Sequence, residues 1–252
     1  MSERTYFLTG GNRGIGYQFV EQLSDDASNI VITTVRSLER SEKLIELSKS
    51  RKNIRIITLD ISDEASINEI PSKLKENNVD VIDVFISNAG ISDSYWTVEN
   101  APRKVWLEHY ITNSLGPILV YQKLHDFILN SKVKKLVFIS SEVGSIGKFL
   151  PVSVSAYGQS KAALDYTVKE ISFELARENA IVFAFSPGMV STDMGNYGLK
   201  KITEATPEAA AQLKESMITD HESVKSMLSF IENATQESSG KFFRYDGSEI
   251  QW

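Results

Sequence analysis

The chain has 252 residues, 42% of them hydrophobic, and a formal net charge of −6: enough apolar material for a large core, and no excess of positive charge to hold nucleic acid or an anionic membrane. It has no cysteine, which excludes disulfides and thiolate metal sites, and His109, His125 and His221 stand too far apart in sequence to form a local metal motif. With no long apolar stretch, no basic leader and no Pro-, Gly- or Ser-rich linker, the expectation is one domain over residues 1–252, without a membrane anchor, in the cytosol.

Tyr6 to Leu8 reads as a short strand running into Thr9-Gly-Gly-Asn-Arg-Gly-Ile-Gly16, with a helix from Tyr17 to Leu23. Glycines let a backbone turn sharply and approach a pyrophosphate, and the helix N-terminus offers free N–H groups and partial positive charge to the anion. A second strand, Asn29 to Val35, precedes a charged helix, Leu38 to Ser50. About 20 residues beyond the glycines, where a carboxylate would bind a ribose 2′-hydroxyl, stands Arg36, and no acid occurs from Ile30 to Leu38. Arg36 and Arg13 together suit a 2′-phosphate and hence NADP.

Ile54 to Leu59 is the third strand. Asp60 follows at its carboxyl end, where open α/β sheets bind ligands; Asp60 or Ser62 could also cap the helix expected from Glu64 to Asn77. The fourth strand, Val81 to Ser87, leads to Asn88-Ala89-Gly90. A polar loop with Tyr95 and Trp96 precedes a long helix, Arg103 to Asn130, in which Gly116-Pro117 predicts a kink. Lys135 to Ser141 is the fifth strand, ending in two serines.

From Ser155 to about Arg177 the apolar residues recur at helical spacing, so Tyr157 and Lys161 share one helical face. An ammonium on the face of a phenol favours the phenolate and should lower the Tyr157 pKa. Ile181 to Phe185 is the sixth strand, followed by Pro187-Gly188 and Thr192. Asn196 to Thr206, irregular and glycine-containing, suggests a mobile lid; helices at about Pro207 to Ser216 and His221 to Asn233 lead to a last strand, Gly240 to Tyr245. Strands alternating with helices imply a parallel sheet covered on both faces.

Thr9 to Gly16, Asp60, Ser87-Asn88-Ala89-Gly90, Asn113, Ser141 with Gly144, Tyr157 with Lys161, and Pro187-Gly188 with Thr192 together resemble the motifs of the short-chain dehydrogenase/reductase family, in their order and over nearly the whole chain. Ser87 departs from the family's asparagine at a mainly structural turn. The resemblance implies an α/β fold: a single-domain, Rossmann-type, doubly wound and mainly parallel seven-stranded sheet. It implies catalysis by Asn113, Ser141, Tyr157 and Lys161, Asn113 positioning a water. NADP(H) contacts are implied for Gly10, Asn12, Arg13, Gly14, Ile15, Gly16, Arg36, Asp60, Ile61, Asn88, Ala89, Gly90, Tyr157, Lys161, Pro187, Gly188, Val190 and Thr192.

The ending, a strand followed by Tyr245-Asp-Gly247 and Trp252, resembles the sniffer, C-factor and fungal carbonyl reductase-like subset. That implies an NADPH-dependent reductase of an aldehyde, ketone or diketone. Trp96, Phe149, Met189, Met194 and Tyr197, with Tyr95, Val152 and Leu199, flank the catalytic segments and are the candidate substrate contacts. The alternatives are an NAD-dependent alcohol dehydrogenase and an idle NADPH-binding redox sensor. The expected partner is a small carbonyl compound, and relatives commonly form homodimers through their long helices.

Overall fold

The computed structural model describes residues 3–205 and 213–252. The strands are β1 (Thr5–Leu8), β2 (Ile30–Val35), β3 (Ile54–Thr58), β4 (Val84–Ser87), β5 (Lys135–Ile139), β6 (Ile181–Ser186), β7 (Phe242–Arg244) and β8 (Glu249–Ile250). They form one sheet in the order β3-β2-β1-β4-β5-β6-β7-β8, parallel throughout except for the β7–β8 pair. Sequence order reverses between β1 and β4, and at such a switch point the connections leave in opposite directions and open a crevice at the carboxyl edge.

Helices α1 (Gly14–Leu23), α2 (Glu42–Ser50), α3 (Glu64–Asn68), α4 (Ile70–Glu76), α5 (Arg103–Tyr110), α6 (Gly116–Leu129), α7 (Ser155–Glu174), α8 (Asp193–Ala205) and α9 (Asp220–Asn233) cover the two faces. Period-two alternation divides the core. Phe7, Ile32 and Phe85 face one layer, with Leu124 of α6 and Val168 of α7; Leu8, Val31 and Ile86 face the other, with Phe19 of α1 and Met227 of α9. Every residue of β5 and β6 is buried. The cation in β5, Lys135, donates to Ile231 O (2.7 Å) and Glu232 O (2.8 Å), carbonyls of the last turn of α9. No helix among the described residues is long and apolar enough to cross a membrane.

Several elements differ from the sequence expectation for identifiable reasons. The expected helix from Glu64 to Asn77 breaks at Glu69, where Pro71 opens α4. The long helix departs from α geometry before the proline, in a π-helical turn over Ile111–Leu115. Pro117 has no N–H to offer the Asn113 carbonyl, and Gly116 N–H donates instead to Ile111 O, five residues back. Of the segment Asn196 to Thr206, expected to be irregular, the described part through Ala205 belongs to α8, begun by the Thr192 hydroxyl accepting from Gly195 N–H (3.1 Å), and Thr206 lies outside the described residues. The glycines of α8 serve close approach, since a Cβ on Gly195 would collide with Val190 O and one on Gly198 would lie 2.7 Å from the Tyr95 hydroxyl. The helix expected from Pro207 to Ser216 falls largely outside the described residues.

The eighth strand joins the seven expected. Asp246 accepts from Ser248 N (2.9 Å) and Oγ (2.6 Å), Gly247 adopts φ +86°, and Arg244 N donates to Ser248 O (2.8 Å), which folds Glu249–Ile250 back on β7. Trp252 then stacks on Phe242, ring centroids 5.5 Å apart.

A Cβ on Gly116 would collide with Ile61 O, at the carboxyl edge of β3. Gly116→Ala is therefore expected to destabilise the fold by about 1–3 kcal/mol despite the higher helix propensity of alanine. Urea unfolding checks it; an unchanged or raised midpoint would refute the close packing.

Candidate active site

The crevice is a cleft of about 860 Å³ along the carboxyl edge, and its floor is the turn between β1 and α1. Gly10 has φ +77°, and a Cβ on Gly16 would collide with the Gly10 carbonyl, so the chain closes on itself more tightly than any side chain allows. Asn88 fastens this turn to the end of β4, its amide donating to Thr9 O (2.9 Å) and Gly10 O (3.2 Å). The Thr9 hydroxyl in return accepts Asn88 N (2.9 Å) and Ala89 N (3.0 Å). Asn12, Arg13, Gly14 and Ile15 complete the wall on this side, with the N-terminus of α1 directed into the cleft.

Arg13, Arg36 and Arg40 stand together at one end. Arg13 is largely exposed, with Asp193 at 3.8 Å. Arg40 falls inside the helix expected from Leu38 to Ser50, but the helix starts at Glu42 and Arg40 lies in the turn before it, its carbonyl 3.5 Å from the Asn12 amide. The signal was present as a second arginine four residues after the first. Asp60, Ile61 and Ser62 line the same end. Asp60 accepts from Ser62 N (2.9 Å) and Oγ (2.6 Å), while Asp63 caps α3 by accepting Ala65 N–H, so neither Asp60 nor Ser62 is the cap.

At the other end the first turns of α7 present Tyr157 and Lys161 beside Gly90, Ile139 and Ser140. Lys161 is buried and donates to Ile139 O (2.8 Å), with Nζ 6.0 Å from the centre of the Tyr157 ring. Burial pulls its pKa down to about 8, against the attraction of Asp165 one turn on. Burial also dominates at Tyr157, raising the phenol to about 12, while the nearby Ser141 hydroxyl pulls the other way. Lys161 is not among the groups that shift it, so the lowering expected from the helical spacing does not occur and the phenol stays protonated. A buried histidine, His109, packs edge-on against the tyrosine ring at 6.4 Å.

Asn113 is fully buried in the π-helical turn. Its amide donates to Ile91 O (2.9 Å) and Ser160 Oγ (3.0 Å) and its Oδ1 accepts Ile91 N–H (2.8 Å). Both amide hydrogens are committed to protein partners, and Oδ1 keeps one lone pair, so a water there would have to donate to it. Of the remaining residues, Pro187, Thr192 and Met194 line the cleft, whereas Gly188 (φ +82°) and Val190 shape the turn behind it. Trp96, Phe149 and Tyr197 are exposed and Met189 half-buried, none of them on the cleft wall; Tyr197 meets Tyr95 edge-on at 5.6 Å. Thr34, Ser92, Asp93 and Thr112 line the cleft without having been expected.

Behind the lysine, Asp165 is buried, and neither of its oxygens nor the adjacent Ser140 hydroxyl has a hydrogen bond of normal geometry. Burial raises its pKa from 3.8 to about 7, opposed by Ser140 and Lys161. Between those values the folded chain holds a proton the unfolded chain has lost, so this group makes stability fall as pH rises through the window; the lowered Lys161 acts oppositely, above about pH 8. Asp165→Asn is expected to remove the first effect. Relative to the parent, its unfolding free energy in urea should gain more than about 1 kcal/mol between about pH 5 and about pH 8. A difference independent of pH would refute the buried acid.

The family model for short chain dehydrogenases matches residues 4–203. An uncharacterized oxidoreductase of Saccharomyces cerevisiae is 47% identical over 252 residues, covering 98% of this chain and 97% of the relative. Among solved structures, NADPH-bound carbonyl reductase from chicken fatty liver superposes with a TM-score of 0.88 at 28% identity, covering 100% of this chain and 95% of the other. The putative carbonyl reductase Sniffer of Caenorhabditis elegans gives 0.83 at 26% identity, with full coverage of both chains. Glycine turn, paired phenol and lysine, and these likenesses agree: the chain belongs to the short chain dehydrogenase family of oxidoreductases.

Proposed function

We propose that the chain is an NADPH-dependent carbonyl reductase acting on an aldehyde, ketone or diketone. One observation carries the reading: a single cleft has a glycine turn and three arginines at one end and Tyr157 with Lys161 at the other, Ser141 beside them. The turn fits a pyrophosphate, because its backbone is unobstructed by side chains and faces the first N–H groups of α1. The arginines fit a 2′-phosphate, and no carboxylate stands at the end of β2 to accept a free ribose hydroxyl. Bound there, NADPH would supply a hydride to the carbonyl carbon.

As that carbon is reduced, negative charge grows on the oxygen. Ser141 and Tyr157 donate hydrogen bonds to it, and Tyr157 delivers the proton. A phenol at about 12 is protonated at neutral pH, as a donor must be, and is still more acidic than the alcohol whose alkoxide it neutralises. Lys161 would hold the ribose hydroxyls of the bound cofactor. Asn113 acts through Ile91, whose backbone it clamps on both sides, and so fixes the loop that follows Gly90. Ile91 and Met194 on the cleft wall offer apolar surface, which suits an aromatic or branched carbonyl.

Tyr157→Phe is expected to lower kcat for NADPH oxidation by an aromatic aldehyde or α-diketone at least about 100-fold while NADPH still binds. Turnover near the parent's would overturn the reading, and binding without turnover in the parent itself would favour a redox sensor. Replacing Arg36 and Arg40 together by alanine is expected to weaken NADPH binding about tenfold or more and leave NADH within about twofold. Equal loss for both cofactors in a fluorescence titration would remove the arginines from 2′-phosphate recognition.

A further inference from the structure

The residues from β7 onward have no part in the chemistry above, yet they are tied to the turn that carries Ser141. That turn, Glu142–Gly144, is a single turn of 3₁₀ helix with Ser141 extended at its start. One side presses on α7 with no room to spare. A Cβ on Gly144 would come within 2.9 Å of the Lys161 backbone, and one on Gly158 within 2.9 Å of Val143 O.

The other side is held by the β7–β8 hairpin and the residues after it. Arg244 on β7 makes a fork-on-fork pair with Glu142, Nε to Oε1 at 2.9 Å and a terminal nitrogen to Oε2 at 2.7 Å. Lys148 lies 4.0 Å from the same carboxylate. The Ser145 hydroxyl donates to Gln251 O (2.6 Å) and Gly147 N–H to Trp252 O (2.8 Å). Trp252 is fixed in turn by its stack on Phe242.

We propose that Arg244 is a positioning residue for carbonyl reduction: with the Gln251 and Trp252 carbonyls, it clamps the Ser141 turn against α7 so that Ser141 and Tyr157 reach one substrate oxygen together. This rests on the roles given above to Ser141 and Tyr157. An ion pair between partly exposed groups contributes little to stability, whereas a two-point guanidinium–carboxylate pair fixes orientation. The pair acts on the residue next to the hydroxyl, and it lies at the carbonyl end, with no contact to the glycine turn or to Arg36 and Arg40. Its effect therefore falls on the chemical step and not on cofactor binding.

The test compares Arg244→Met, which keeps the apolar stem, Arg244→Lys, which keeps charge but loses the fork, and Ser141→Ala, using NADPH and the aromatic aldehyde or α-diketone that the parent reduces best. For Arg244→Met we expect kcat to fall about tenfold, with the NADPH dissociation constant within about twofold of the parent. Arg244→Lys should recover only part of the loss. A folded Arg244→Met variant with kcat within about twofold of the parent overturns the proposal, even if its melting temperature has dropped. So does a loss shared equally with NADPH binding, which marks general disruption. Should Arg244→Met fail to fold, Glu142→Gln, which weakens the same pair from the other side, faces the same criteria. Ser141→Ala separates the two layers: full activity there removes the serine's role, while inactivity there beside a normal Arg244→Met removes the clamp alone.

Discussion

A parallel sheet covered on both faces leaves one place for polar chemistry, the edge where its strands end, and the site depends on that constraint. Val84 to Ile86, Lys135 to Ile139 and Ile181 to Phe185 are buried from end to end, so a charged side chain within them must find partners inside, as Lys135 does on the last carbonyls of α9. Functional groups begin where the strands stop: Thr9 after β1, Arg36 after β2, Asp60 after β3, Asn88 after β4, Ser140 and Ser141 after β5, Pro187 after β6. Their order along the cleft follows the strand order, which puts the arginines at the β2–β3 side and the tyrosine and lysine near β5.

Much of this was legible in the sequence because it rests on local rules. A glycine turn between strand and helix, a phenol and an ammonium four residues apart, and polar residues at strand ends each have a physical reason that needs no distant contact. What stayed hidden depended on what touches what. Gly195 and Gly198 look like helix breakers until Val190 O and the Tyr95 hydroxyl are seen lying where their side chains would be. β8 is two residues long, too short for periodicity to detect, though Asp246-Gly247 announces its turn. The fate of Asn113 was illegible for the same reason: its amide is consumed by Ile91 and Ser160, neighbours that only the fold supplies.

The electrostatics of the site reverse the simplest expectation, and the reversal follows from depth. A lysine one turn from a tyrosine should lower its pKa, but the field of one ammonium competes with the loss of water around both groups. Here burial is the larger effect for each of Tyr157, Lys161 and Asp165, moving every one toward its neutral form. The outcome suits a proton donor. Tyr157 keeps its proton, and Lys161 lies near enough to neutrality that its charge depends on what surrounds it, Asp165 included.

Precision at the catalytic end comes from contacts that exclude alternatives. Gly144 on the Lys161 backbone and Gly158 on Val143 O fix the separation of the serine turn from α7, since neither surface can move closer. The Ile91 backbone is fixed in the same way by Asn113, whose own position is set where Gly116 meets Ile61 O and Pro117 forces the π-helical turn. Steric stops set distances but not directions; the hydrogen bonds from Asn113, and the guanidinium fork of Arg244, supply the directions. Two hydroxyls that must meet one oxygen need both kinds of constraint, and in this chain part of the second kind, the Arg244 fork on Glu142, is drawn from 102 positions away in sequence.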